Sequence, residues 1–451
     1  MAKQYDIIII GSGPAGSKVA HQCSKAGKKV VVADYLFGGT CALRGCTPKK
    51  AMESVTSLWW ETQALQGLGF PKLDASVQWK KLMAHKEHFT ALVPANTKEK
   101  FQAAGIDVIE EKVAFKDKNT ITAAQKEWTA DQFVIATGAM PRPLAMEGSK
   151  YLLNNEDFFD LPELPKHAVF IGGGYISFEL SHILAACGVQ VTIISNDEKP
   201  LSAFDPKLVT KLILATLDKG IDIRLGFEAS RIEQLEDKSY EVTIKRKQTD
   251  KTLKLPADCV IHSAGRIPQV QHLNLEAAGV EYDEEKGIEV SKNMQCKGNE
   301  NIYALGDVIG EFPFTPVATY EADIVAYNLL HKGAKSMNYD NIPVVLFTHP
   351  KLASVGKSEQ ELQEAKIDYE TKENDLSSDL IEKGLNAEIN GYRIFVDKKN
   401  KQILGANVLG VKAEEIINMF ALAMRNELTS DQIQDTILAY PTATQAFKYM
   451  V

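Results

Sequence analysis

A strand, a glycine-rich turn and a helix that occur twice, 161 residues apart, constrain this chain more than any other feature of its sequence. The apolar run at residues 7–10 leads into Gly11-Ser12-Gly13-Pro14-Ala15-Gly16. A helical stretch follows to Gly27, and the strand Val30–Ala33 ends at Asp34. The same order returns as the apolar run 168–171, Gly172-Gly173-Gly174, a helix to Gly188 and a strand over 191–194. In register, Gly11 falls on Gly172, Gly13 on Gly174, Gly27 on Gly188 and Val30 on Val191. Parallel strands need a crossover, usually a helix, so each copy reads as the opening of its own α/β sheet.

Such a turn between strand and helix lets a pyrophosphate approach the backbone at a helix N-terminus, while an acid about 20 residues on holds the ribose hydroxyls. The first copy has all the parts: Gly11, Gly13, Gly16 and Asp34. The second carries Gly172 and Gly174, but Ser177 stands where the third glycine belongs and Ser195 where Asp34 would fall. Without a carboxylate at that strand end, a 2′-hydroxyl loses its acceptor and a 2′-phosphate escapes repulsion, which favours NADPH, with NADH possible. Lys199 is the nearest cation in sequence, and Asp197 and Glu198 oppose the preference. Two dinucleotide sites in one chain suggest electron transfer between two cofactors, with a flavin holding the electrons in between.

Length fits this plan, since 451 residues at about 150 per domain leave room for about three domains. Two more strands end in small turns, at 133–138 and 259–266, and read as crossings between domains. Beyond residue 336 the pattern turns β-rich (344–348, 392–396, 403–409), with a helix over 413–426 and no glycine-rich phosphate turn. The expected fold is therefore α/β, with two Rossmann-like dinucleotide-binding domains and a C-terminal α+β domain.

Composition excludes several partners. A net charge of −8 gives no general pull toward nucleic acid. No apolar run approaches the ~18 residues of a membrane span. Residues 1–4 are too short for a charged leader, so no secretory signal is expected and the expected location is the cytoplasm. Six cysteines are too few for a disulfide scaffold; a close pair among them points instead to catalysis or metal binding.

That close pair is in Gly38-Gly39-Thr40-Cys41-Ala42-Leu43-Arg44-Gly45-Cys46-Thr47-Pro48-Lys49-Lys50, directly after Asp34. In a regular helix this spacing puts the α-carbons about 8.6 Å apart, beyond the ~7 Å a disulfide tolerates. Either the pair never bridges or the turn is distorted, and Gly45 supplies the backbone freedom a distortion requires. One C-x-x-x-x-C without a second ligand pair is a poor zinc site, so no metal ligands are assigned. Two structural thiols remain the plain alternative.

The motif resembles the redox-active disulfide of the pyridine nucleotide-disulfide oxidoreductases, the family of glutathione reductase, dihydrolipoamide dehydrogenase and mercuric reductase. Residues 11–16, Asp34, 41–50, 136–138, 172–179, Gly265-Arg266 and Gly306-Asp307 match in order and spacing, and 344–356 resembles the start of that family's dimer-interface domain. The resemblance implies FAD in a domain built from 1–142 and 264–335, a nicotinamide nucleotide in 143–263, and a dimerisation domain in 336–451 of a homodimer. It implies that Cys46 is the flavin-side thiolate and Cys41 the interchange thiol. Lys50 and Glu179 would form the ion pair beside the flavin N5, with Tyr175 gating the nicotinamide face. Cofactor contacts would fall on Gly11, Gly13, Pro14, Ala15, Gly16, Asp34, Gly39, Thr40, Lys50, Thr137, Gly138, Gly265, Arg266, Gly306 and Asp307. On the nicotinamide side they would fall on Gly172, Gly174, Tyr175, Ile176 and Ser195.

One departure bears on catalysis. Disulfide reductases of the family end in His-Pro-Thr-x-x-Glu, whose histidine shuttles a proton at the partner subunit's cysteine pair. Here Tyr440-Pro441-Thr442-Ala443-Thr444-Gln445 stands at that place. A tyrosine hydroxyl can donate a hydrogen bond but is a poor base at neutral pH, and a glutamine carries no charge to orient it. Loss of general acid–base catalysis is commonly worth ~10²–10⁴-fold, so slow turnover of glutathione disulfide is expected. Mercuric reductases carry a tyrosine near that position but receive the metal on C-terminal cysteines, which the tail 447–451 lacks. His349 is expected to be structural, as are Cys23, Cys187, Cys259 and Cys296. The expected activity is FAD-dependent, NAD(P)H-driven reduction of a small-molecule acceptor, a disulfide first, through Cys41–Cys46. The alternatives are a diaphorase, quinone or metal-ion reductase, and a non-enzymatic flavin redox sensor.

Overall fold

Three isoleucines with no exposed surface, Ile7, Ile8 and Ile9, place the strand Lys3–Ile10 at the centre of a parallel sheet, covered on both faces. It pairs with Val30–Ala33 on one side, Ile7 opposite Val30, and with Lys126–Ile135 on the other, Ile7 opposite Gln132. The sheet runs Gln295–Cys296, Asn299–Ala304, Lys126–Ile135, Lys3–Ile10, Val30–Ala33, Asp107–Ile109, with the hairpin Ala114–Asp117/Thr120–Ala123 added along Lys126–Ile135. The computed structural model describes residues 3–249, 251–331 and 335–451. The first two residues of the opening 1–4 segment, and 332–334 just before the expected boundary at 335, lie outside them.

The chain forms two compact units: Met1–Ala51, Met83–Pro143 and Gly265–Asn338 make the first, and Met52–Leu82, Leu144–Ala264 and Tyr339–Val451 the second. The crossings at 143/144 and 264/265 follow the two strand-end turns noted in the sequence. Grouping of 52–82 with the second unit has no counterpart in the sequence reading.

In the second unit the repeat builds another parallel sheet, ordered Ile221–Leu225, Gln190–Ser195, His167–Ile171, Cys259–His262, Leu153–Asn154. Its helices start by different means. Tyr175–Ala186 begins at Gly174, whereas Pro206–Asp218 is capped by the Asp205 carboxylate, which accepts from Lys207 N at 3.0 Å and Leu208 N at 3.2 Å. An antiparallel meander, Phe227–Gln234, Tyr240–Arg246 and Thr252–Ala257, is inserted between the parallel strands Ile221–Leu225 and Cys259–His262. The C-terminal part is an antiparallel sheet ordered Val344–Leu346, Lys351–Gly356, Ile403–Gly410, Gly391–Asp397, Tyr369–Asn374, and helix Ala413–Arg425 buries Ile416, Ile417 and Phe420 in its core. This is the α/β-plus-α+β architecture the pattern predicts, with the expected strand at 344–348 stopping at Leu346 before a cis His349–Pro350 bond.

Candidate active site

The first glycine turn is held by contacts that leave no room for side chains. A Cβ on Gly11, whose φ is +109°, would lie 2.2 Å from the Ala136 oxygen, and one on Gly16 would lie 2.1 Å from the Gly11 oxygen. Helix Pro14–Lys25 starts directly at Gly13, with Pro14 at its first position, so its N-terminal N–H groups open onto the turn. Asp34 braces it: the carboxylate accepts from Ser12 N and Ser12 Oγ at 2.7 Å each and from Leu36 N at 3.0 Å. An open cleft runs from this turn past Asp34, Thr137 and Gly138 to Asp307, Cys41 and Thr315, all within the first unit.

The cysteines sit at one end of that cleft. A short helix, Gly39–Arg44, stops at Gly45, whose φ of −142° and ψ of −109° break it, and a new helix, Cys46–Ala64, begins at once. The distortion allowed by Gly45 is therefore present, and it turns the second cysteine back toward the first. Gly39 packs against the glycine turn so closely that a Cβ would lie 2.6 Å from Gly13 Cα. Both sulfurs reach one hydroxyl: Thr315 Oγ1 donates to Cys41 Sγ at 3.1 Å and lies 3.6 Å from Cys46 Sγ. The two thiols also hydrogen-bond each other; that bond first, and burial second, push the Cys41 thiol up, while the Thr315 hydroxyl pulls the other way. Cys46 is exposed and Lys50 stands one turn further along its helix, also exposed.

Two residues unnoticed in the sequence complete this end. Thr315 opens helix Thr315–Leu330, a start signalled only by the following Pro316. Glu321, 1% exposed on the same helix, accepts Gly306 N at 2.6 Å and so fixes the strand-end turn that carries Asp307. Burial pushes the Asp307 carboxyl up, offset by the Arg266 charge. Arg266 itself donates to the Ala139 carbonyl beyond Gly265, and Thr137 Oγ1 donates to Gln269 O at 2.8 Å. Pro14, Ala15 and Thr40 also line the cleft.

In the second unit, Gly172 has φ +125° and a Cβ there would lie 2.4 Å from the Ser263 oxygen. Ser177, in place of a third glycine, is fully buried and turns its hydroxyl onto the Gly172 carbonyl. Tyr175 is exposed at the helix start, beside half-buried Ile176. The equivalence of the copies extends to a side-chain exchange. Ser12 and Asp34 are hydrogen-bonded in the first, whereas their counterparts are Gly173 and Ser195, and a Cβ on Gly173 would lie 2.4 Å from Ser195 Oγ. The Ser195 hydroxyl is used locally, donating to Asp197 O at 3.1 Å and accepting from Asp197 N at 3.2 Å.

Glu179 is buried in the second unit, accepting Phe347 N at 2.9 Å, while Lys50 belongs to the first. Tyr440 is exposed at a cis Tyr440–Pro441 bond, and Gln445 Nε2 reaches Tyr449 Oη at 3.4 Å. His349 donates its backbone N–H to His182 Nδ1 at 3.1 Å, and burial pushes its imidazole down to about 3. Cys23, Cys187 and Cys259 are buried, with thiols pushed up to about 12 by desolvation, and buried Cys296 is pushed up too. Among the described residues no group of three His, Cys, Asp or Glu could hold a metal ion, and no helix is long and apolar enough to cross a membrane.

Comparison with known proteins gives the same picture over the whole chain. Residues 5–322 match the family model described as pyridine nucleotide-disulphide oxidoreductase, and 342–451 the model of that family's dimerisation domain. The chain is 28% identical to a glutathione reductase of Burkholderia cepacia, covering 98% of this chain and 97% of that one. It is 30% identical to a mercuric reductase of Staphylococcus aureus, covering 98% and 81%, and 30% identical to a dihydrolipoyl dehydrogenase of Bacillus subtilis, covering 97% and 94%. Among solved structures, the Cu(II) complex of the HOCl-induced flavoprotein disulfide reductase RclA from Escherichia coli superposes with a TM-score of 0.89 at 25% identity, covering 100% and 99%.

Proposed function

Because this chain belongs to the pyridine nucleotide-disulphide oxidoreductases and is an FAD-dependent NAD(P)H:disulfide oxidoreductase, we propose that its acceptor is a small disulfide or thiol-reactive compound reduced at Cys41 and Cys46. The observation that carries this reading is the convergence of both sulfurs on the Thr315 hydroxyl at the end of the cleft that starts at the first glycine turn. In this reading 1–142 and 264–335 hold FAD, 143–263 binds the nicotinamide nucleotide, and 336–451 pairs two copies into a homodimer acting in the cytoplasm. Exposed Leu422, Ile437, Tyr440 and Tyr449 give the C-terminal part apolar surface for that pairing.

The cleft fits FAD: the glycine turn at the helix N-terminus for the pyrophosphate, Asp34 for ribose hydroxyls, Asp307 for the ribityl chain, and room beside Cys41 and Thr315. When bound, FAD supplies the means of passing an electron pair from a nicotinamide to a disulfide. The chain's own steps are thiol–disulfide exchange. The Cys41 sulfur, as thiolate, attacks an acceptor RSSR, forms Cys41–S–S–R and releases RS⁻, which takes a proton. Cys46 then attacks the Cys41 sulfur, closing the intramolecular disulfide and releasing the second RSH. The balance per turnover is NAD(P)H + H⁺ + RSSR → NAD(P)⁺ + 2 RSH. Cys41 must lose its proton before attacking, and Thr315, donating to that sulfur, favours the loss. Lys50 and Glu179 are assigned to the flavin side of the reaction, and Tyr440 to hydrogen bonding a leaving thiol.

A second reading, metal-ion reduction, is favoured by the exposure of Cys46 and the absence of the His/Glu dyad, together with the mercuric reductase and Cu(II)-bound relatives. One experiment tests both. Anaerobic titration of the yellow holoprotein with NADPH or NADH should raise a long-wavelength thiolate-to-flavin band, and a Cys46→Ser protein with the same spectrum would end the dithiol assignment. Turnover of glutathione disulfide, other small disulfides, quinones, and cupric or mercuric ions by wild type and Cys41→Ser then shows which acceptors need the dithiol.

A further inference from the structure

The residues that would meet the adenosine ribose of the nicotinamide nucleotide are those following the strand Gln190–Ser195, where the first copy has Asp34. Ser195 is unavailable, its hydroxyl closed on Asp197 and pressed against Gly173. The next side chains are more informative. Glu198 lies over Gly226, the left-handed turn (φ +72°) between the strands Ile221–Leu225 and Phe227–Gln234, where a Cβ would lie 2.3 Å from Glu198 Oε1. The Gly226 N–H points to the Asp197 carbonyl at 3.4 Å, tying the loop to that turn. Across it stands Arg246, at the end of the strand Tyr240–Arg246, with Nη2 3.7 Å from Glu198 Oε1 and its guanidinium 5.7 Å from the Phe227 ring centre.

This pair is loosely engaged. At 3.7 Å the contact is a Coulombic one, beyond hydrogen-bonding range, so the carboxylate keeps acceptor positions for a ribose diol. Arg246 Nε is buried with no hydrogen-bond partner among the described residues. Of the neighbouring cations, Arg224 is already paired, donating to Asp222 at 2.7 Å, and Lys199 adjoins Glu198 in sequence. Glu198 and Arg246 are both partly exposed, with 47% and 40% of their side-chain surface open.

We infer that Glu198 and Arg246 together set the choice of nicotinamide nucleotide, Glu198 as acceptor for the 2′-hydroxyl and Arg246 as its anchor, and that the choice is NADH. This reverses the sequence expectation of NADPH, which saw no arginine near Ser195 because Arg246 is 51 positions away. A 2′-phosphate brought against Glu198 is repelled; once the carboxylate is neutral, Arg246 is free to receive it. The inference rests on the proposed nucleotide site, and the experiment separates the two. In FAD-loaded wild type, Glu198→Gln and Glu198→Gln/Arg246→Ala, kcat/KM is measured with NADH and NADPH, and binding of 5′-AMP and 2′-AMP by calorimetry. Wild type should prefer NADH at least tenfold. Glu198→Gln should lower the NADH/NADPH ratio at least tenfold and tighten 2′-AMP, and the added Arg246→Ala should abolish that tightening. Glu198→Asp should retain part of the NADH preference. A wild-type preference for NADPH, or a ratio that moves less than twofold in Glu198→Gln, overturns the inference. If neither nucleotide reduces the flavin, the functional reading fails, while the two adenylates still report on the pair.

Discussion

The Thr315 hydroxyl donates to the Cys41 sulfur at 3.1 Å across 274 positions of sequence, and the same oxygen is 3.6 Å from Cys46. One hydroxyl thus serves both members of the dithiol, and it opposes the upward push on the Cys41 thiol, as the Cys46 backbone N–H does to a lesser degree. Removing it leaves Cys41 harder to ionise. In dithiothreitol-reduced protein, Thr315→Val should shift the pH dependence of Cys41 alkylation by iodoacetamide upward by about one unit, the size expected for one charge-assisted hydrogen bond. Thr315→Ser should restore it. An unshifted profile in Thr315→Val would deny the hydroxyl this role.

Acid sensitivity should come from two histidines. His182, fully buried, has Nδ1 occupied by the His349 N–H and Nε2 3.1 Å from Thr216 Oγ1, and desolvation holds it well below its ordinary range; burial holds His349 at about 3. Both folded values lie below the unfolded one. Their stabilisation is present above pH about 6.5 and is lost as pH falls from there toward 3, by up to ~1.4 kcal/mol per pH unit for each group. Urea unfolding at a series of pH values should show a shallower acid slope in His349→Gln.

Glu382 carries the opposite sign. Its side chain is buried, Oε1 accepts Val411 N at 2.8 Å, Oε2 has no partner among the described residues, and burial pushes the carboxyl up to about 7. Protonated in the folded chain and ionised in the unfolded one between pH 4.5 and 7, it makes stability fall as pH rises through that window, by roughly 3 kcal/mol in all. Glu382→Gln should remove this alkaline loss and be more stable than wild type at pH 8; equal pH dependence in the two proteins would refute the assignment.

Lys351 neutralises two buried carboxylates, 2.9 Å from Glu414 and 3.6 Å from Glu53. Replacing it with methionine leaves both acids in a low-dielectric site without their cation, which should destabilise the protein by about 3–5 kcal/mol in denaturant titration. Adding Glu53→Gln and Glu414→Gln should recover most of that loss. A single Lys351→Met change costing under about 1 kcal/mol would show that solvent already screens the cluster.

What could be read from sequence was what is local. The turns at Gly11–Gly16 and Gly172–Gly174, the strands around them and the permissive Gly45 are encoded within a few positions, because positive φ and close backbone approach admit little besides glycine. What could not be read was supplied by distant segments. Thr315, Glu321 and Arg246 are ordinary residues in their own neighbourhoods and gain meaning only where the sheet order brings their elements beside a turn. The absence of a carboxylate at Ser195 was legible, but the seating of Glu198 over Gly226 was not, since the contact depends on how the meander leaves the parallel sheet. Likewise 52–82 carries no compositional mark of the unit it joins.

The long span between the cysteines and their hydroxyl partner has a consequence for biosynthesis. The first unit is assembled from three stretches, and the last of them, which brings Thr315, leaves the ribosome only after the intervening second-unit residues. Throughout that interval the nascent chain carries Cys41 and Cys46 without the hydroxyl that helps Cys41 ionise, so the pair is a poorer nucleophile while it is being made. Reactivity then arrives with the third stretch, at the end of the first unit's assembly.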